Sequence, residues 1–123
     1  ASKPETWEGE GAGLSFVQGR HPLLDPDKVV PLDLEVRRGC SVLITGPNTG
    51  GKTVAIKCAG LFALMAQAGL FLPALSAKLA PFRQVFADIG DEQSLEQSLS
   101  TFSGHIKNIS EALRLLKPDG LVL

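Results

Sequence analysis

The sequence predicts an α/β fold, a largely parallel sheet with helices packed on it and antiparallel strands at its side. Three observations predict it. A short apolar run, Ser41-Val42-Leu43-Ile44-Thr45, leads through a glycine-rich stretch into a long apolar helical segment. A second helical stripe, from Phe102 to Leu116, leads into the apolar run Leu121-Val122-Leu123. Connections of this β–α and α–β kind build parallel sheets. Before them, Val30, Leu32, Leu34 and Val36 alternate with Pro31, Asp33, Glu35 and Arg37, a period of two that fits a strand wet on one face.

The totals exclude several classes. The chain has 123 residues, 44% hydrophobic and 20% charged, which excludes wholesale disorder. Its net charge is −1, so no basic nucleic-acid surface is present in the totals. Cys40 and Cys58, the only two cysteines, form neither a CxxC pair nor a disulfide framework. Beside apolar segments they read as buried, inert thiols of a reducing, cytoplasmic compartment. The uncharged stretch from Cys58 to Ala77 has about the length of a membrane span, but Gln67, Gly69 and Pro73 interrupt it, so no membrane partner is expected.

Taken in order, residues 1–12 are polar and Gly-rich and read as a linker or loose edge, with Trp7 its one large apolar side chain. Leu14-Ser15-Phe16-Val17 reads as a strand, followed by turns at Gly19-Arg20-His21-Pro22 and Asp25-Pro26-Asp27. The run 41–45 is continuously apolar at its centre, as in strands covered on both faces. A helix is expected from about Lys52-Thr53 to Ala68, apolar on most sides and therefore deeply buried, with Gly69 at its end. Short strands or loop are expected at 71–74 and 77–80, a strand at Arg83–Ala87, and a polar loop from Asp88 to Leu99. A second helix opens at Ser100, its N-cap, and carries Phe102, Ile106, Ile109, Leu113 and Leu116 as one apolar stripe, with His105 on its flank.

Chemistry concentrates in Gly46-Pro47-Asn48-Thr49-Gly50-Gly51-Lys52-Thr53, which fits G-x-x-x-x-G-K-[ST], the phosphate-binding P-loop. Glycines let successive backbone N–H groups converge on phosphate oxygens, and the helix that follows adds free N–H groups and the positive end of its dipole. Lys52 is placed to reach the β- and γ-phosphates and the Thr53 hydroxyl to ligate Mg²⁺. The pattern points to ATP and Mg²⁺ as cofactors and leaves open what the nucleotide drives.

With its preceding Thr45, this loop resembles the TGPN-x-GGK-[ST] loop of the MutS family. Gly19-Arg20-His21-Pro22 is similar to that family's RHP element, Phe86-Ala87-Asp88-Ile89-Gly90 to its FxxIG segment, and Ser100-Thr101-Phe102 to its STF element. The strings GDEQS and EQSLSTF between Gly90 and Phe102 resemble the type-two branch, which is implicated in suppressing recombination. The resemblance covers residues 14 to 123. It implies a P-loop NTPase of ABC type, a mixed sheet with antiparallel side strands, in a partial domain spanning residues 13–123.

It further implies a homodimer that sandwiches two nucleotides, with DNA contacted by other domains of the parent. Gly46 to Thr53 would hold the phosphates in cis. Ser100 would face, in trans, the γ-phosphate bound by the other subunit. Gln93, with Asp91 and Glu92, falls where ABC-type proteins sense Mg²⁺ and the attacking water, and equally reads as part of a solvated acidic loop. His21 reads as a brace of the sheet or a satisfied structural histidine, and Val29 or Val30 as contacts to adenine. Leu121-Val122-Leu123 resembles the Walker B strand without the acids that follow it. The expectation is therefore the N-terminal half of an ATPase domain, which keeps the phosphate cradle and lacks hydrolysis. A structural, self-associating piece that binds no nucleotide in isolation is the alternative.

Overall fold

The computed structural model describes residues 1–47, 51–90 and 98–123, and of residues 98–101 the backbone alone. The chain is a mixed α/β protein in two compact units, Ala1–Phe82 and Arg83–Leu123.

The first unit is built on a four-stranded mixed sheet. Its strands are β1 (Glu5–Thr6), β2 (Leu14–Gly19), β3 (Leu32–Val36) and β4 (Ser76–Leu79), in the order β1-β4-β2-β3. β2 is antiparallel to both neighbours, and β1 runs parallel to β4. Residues 1–12 supply the edge of this sheet. Ser2 bridges Leu72, and the Trp7 N–H donates to the Leu79 carbonyl at 3.0 Å. β2 buries Leu14 and Phe16 and is bulged between Phe16 and Gly19, where Gln18 takes φ 50° and donates its N–H to Asp33 Oδ1 at 2.7 Å.

Helix α1 (Lys52–Gln67) buries Cys58, Ala59, Gly60, Phe62 and Ala63. Phe62 meets Phe16 edge to face, ring centroids 4.8 Å apart. Gly19 closes this contact, because a Cβ there would lie 2.5 Å from the Phe16 ring and 3.1 Å from Phe62. The helix ends at Gly69, whose φ of 75° suits a residue without a Cβ. It is not buried on most sides: Leu64 is exposed, so the burial is a stripe.

The second unit is a β–α–β arrangement. β5 (Gln84–Phe86) and β6 (Gly120–Val122) pair in parallel, joined through α2 (Ser98–Leu115). Gln84 anchors the helix end, donating to the Leu115 carbonyl at 3.2 Å and accepting from the Lys117 N–H at 2.8 Å.

Three expectations fail here for physical reasons. Residues 41–45 form no strand: among the described residues they have no ladder partner, and Leu43 is 87% exposed. A strand exists only through its neighbours, so an apolar run alone does not make one. Where a helix packed on the sheet is expected, the stripe Phe102, Ile106, Ile109, Leu113 and Leu116 is exposed, and among the described residues of α2 Ala112 is the buried one, because a two-stranded ladder offers little surface to pack against. Cys40 is exposed, since it closes a turn by donating its N–H to the Arg37 carbonyl at 3.0 Å; Cys58 alone is buried. Among the described residues, no helix is long and apolar enough to cross a membrane.

Candidate functional site

The glycine-rich loop enters α1 through Gly51, whose φ of 76° lies in the left-handed region. Gly46, at the loop's start, has φ 145°. A Cβ at either would meet nothing within 4 Å, so glycine is required there by backbone conformation and not by space. Asn48, Thr49 and Gly50 lie outside the described residues.

Lys52, the first residue of α1, turns back along the loop. Its Nζ donates to the carbonyls of Gly46 at 2.5 Å and Pro47 at 2.6 Å. The ammonium is therefore held across the loop it belongs to. The helix has no side-chain cap and no acidic residue in its first turn. Among the described residues, no acidic side chain of that turn competes for the helix's first N–H groups and positive dipole end. Thr53 follows on the first turn and is exposed, with a hydroxyl suited to a hard cation. Donors, dipole and lysine together fit a polyphosphate with a divalent ion. Among the described residues, no cluster of three or more His, Cys, Asp or Glu side chains is placed to hold a metal.

The remaining candidates separate. Gln93, Asp91 and Glu92 lie outside the described residues. α2 begins at Ser98, so Ser100 is not its cap but stands in its first turn, where backbone N–H groups are still free. His21 is buried, and its Nδ1 accepts from the Leu23 N–H at 3.2 Å. Arg20 donates to the Val29 carbonyl at 3.0 Å, tying the ends of this turn together. Val29 is buried and Val30 is 77% exposed, so of the two valines only Val30 is accessible to a ligand.

One cluster escaped the sequence reading. Just beyond β5, the Asp88 carboxylate accepts from His105 Nδ1 at 2.6 Å and from Asn108 Nδ2 at 3.3 Å. Its signal was the i, i+3 spacing of His105 and Asn108, which puts both on one helix face. The His105 hydrogen bond is the main cause that lowers the Asp88 pKa below its ordinary value, with Asn108 adding to it.

Residues 42–123 match the family described as MutS domain V. The chain belongs to the MutS family. Its relatives include a protein named Endonuclease MutS2 from Geobacillus kaustophilus, 60% identical over 112 residues, covering 89% of this chain and 14% of the relative. The protein of the same name from Pelotomaculum thermopropionicum is 56% identical over 129 residues, covering 100% of this chain and 16% of the relative. That from Lactobacillus helveticus is 51% identical over 125 residues, with the same coverage of 100% and 16%. The chain thus spans about one seventh of the length of the curated relatives it matches, and its kinship lies with the MutS2 proteins of the family.

Proposed function

We propose that this MutS domain V segment is the ATP- and Mg²⁺-binding part of an ABC-type P-loop ATPase that acts on DNA, in the suppression of recombination. The observation that carries the reading is Lys52 folded over the Gly46 and Pro47 carbonyls at the uncapped start of α1. Gly46 to Thr53, Asn48, Thr49 and Gly50 included, form the cradle. Lys52 binds β- and γ-phosphate oxygens, exchanging its loop carbonyls for stronger charged acceptors. Thr53 holds the Mg²⁺, which neutralises phosphate charge when bound. Ser100 meets the γ-phosphate of a second subunit through the free N–H groups of its helix turn, and Gln93 orients water. Residues 13–123 are a partial ATPase domain that works as a homodimer. DNA contact and the acids for hydrolysis come from elsewhere in the parent.

A second reading has its own observation. The segment leading into the loop is exposed at Val42 and Leu43 and, among the described residues, joins no ladder. A loop unbraced on that side favours a folded piece that binds no nucleotide in isolation.

Titration with a fluorescent ATP analogue and Mg²⁺, beside Lys52→Ala, separates the two. A charge-assisted contact contributes about 1.5–3 kcal/mol, so the variant is expected to bind about tenfold more weakly or worse. Equal binding by both proteins removes Lys52 from the site. No binding by either establishes the second reading for this chain.

A further inference from the structure

The Asp88–His105–Asn108 cluster has a geometry that a simple surface ion pair lacks. Asp88 is held at both its backbone and its side chain. Its N–H donates to the Leu123 carbonyl at 2.9 Å, and the Leu123 N–H donates to the Phe86 carbonyl at 2.8 Å, so the residue is locked to the carboxyl ends of β5 and β6. Its carboxylate then reaches α2 at two points one turn apart. An ionised carboxylate only accepts, so His105 must carry its proton on Nδ1. The pair is partly buried, with side-chain exposures of 29% for His105 and 18% for Asp88. The imidazole also lies against Gly90, its Cε1 3.6 Å from where a Cβ would stand.

The apolar stripe of α2 does not fix the helix in place, because it is exposed. Ala112 and the Gln84 bonds hold its C-terminal half. Toward its start, among the described residues, this cluster ties α2 to the end of β5. His105 lies five positions after Ser100, about 7.5 Å along the axis at 1.5 Å per residue.

We propose that Asp88 and His105 are positioning residues: their hydrogen bond, backed by Asn108, sets where the first turn of α2 presents Ser100 to the nucleotide of the second subunit. This rests on the trans-contact reading of Ser100. His105 acts through Nδ1 toward Asp88 and needs no chemistry at Nε2. An amide of suitable length therefore replaces it, because the Asn Nδ2 stands close to where the imidazole Nδ1 does.

The test reads two affinities on the whole chain: binding of a fluorescent ATP analogue with Mg²⁺, and dimerisation driven by MgATP in sedimentation. His105→Ala and Asp88→Ala are expected to leave nucleotide binding within about twofold and to weaken ATP-driven dimerisation about tenfold, the loss of one charged hydrogen bond. The double variant is no worse than either single one, and His105→Asn restores dimerisation to within about threefold. Amide exchange at Ser98–Phe102 rises in the alanine variants and returns in His105→Asn, whereas exchange at residues 110–115 does not change. Dimerisation of His105→Ala equal to the wild type overturns the proposal. So does failure of His105→Asn to restore it, or a parallel loss of nucleotide binding, which marks a brace of the fold only. A wild type that binds nucleotide without dimerising, and is matched by Ser100→Ala, overturns instead the trans-contact reading on which the proposal stands.

Discussion

At the scale of single residues, two positions carry sharp tests of the packing. Gly19 faces a Phe16–Phe62 contact that fills the space of its missing Cβ. Gly19→Ala forces that pair apart and is expected to destabilise the chain by about 1–3 kcal/mol in denaturant unfolding, the usual cost of overpacking. Gly39, with open space around it, offers no such clash. Cys58 is fully buried, and burial pushes its thiol up to about 11 from 9.0. The folded state therefore holds this proton more tightly than the unfolded chain does. Its contribution is complete below pH 9 and is lost as pH rises toward 11. Stability measured from pH 8 to 10.5 is expected to fall, and Cys58→Ala to flatten that slope. With a thiol reagent at neutral pH, exposed Cys40 reacts first and Cys58 only on unfolding.

At the scale of elements, the sequence was most legible where a local rule dominates. The alternation at Leu32, Leu34 and Val36 became β3, and the alanine-rich run after Lys52 became α1. The glycines at 46 and 51 took the positive φ their loop demands. Where an element depends on its neighbours, the reading failed. Residues 41–45 carry every mark of a buried strand and, among the described residues, have no ladder. The stripe of α2 has helical period and no matching surface, because periodicity shows which face is apolar and not whether something covers it. The Asp88 cluster was illegible because it joins residues seventeen and twenty positions apart whose meeting only the β–α–β turn creates. These failures give a test. Leu113 is 59% exposed, so Leu113→Gln is expected to change stability by less than about 0.5 kcal/mol. Phe62→Ala, at 0% exposure, is expected to cost about 3–5 kcal/mol. A large loss in Leu113→Gln shows that the stripe is packed in solution.

At the scale of the whole molecule, the two units differ in how much holds them. Ala1–Phe82 has four strands, a helix seated on them and, among the described residues, the fully buried large side chains Leu14, Phe16, Cys58, Phe62 and Leu72. Among its described residues, Arg83–Leu123 has two short strands and one helix, with Ala112 buried. Two-stranded ladders are marginal in water without a packed face, and local stability follows buried apolar contact. The glycine-rich loop begins the helix of the well-packed unit, whereas Ser100 belongs to the lightly packed one. The proposed nucleotide binding and the proposed trans contact therefore rest on parts of unequal stability. Native-state hydrogen exchange is expected to show this directly. Amides of β2 and β4, such as Phe16 and Lys78, exchange only through global unfolding, and those of Leu121 and Leu123 exchange through a local opening at least about tenfold more often. Equal protection in both units means that the exposed apolar faces of the second, Phe102 and Leu113 among them, are covered in solution, as in a self-associated state. Dilution distinguishes the cases, because protection gained by association falls with concentration and protection within one chain does not.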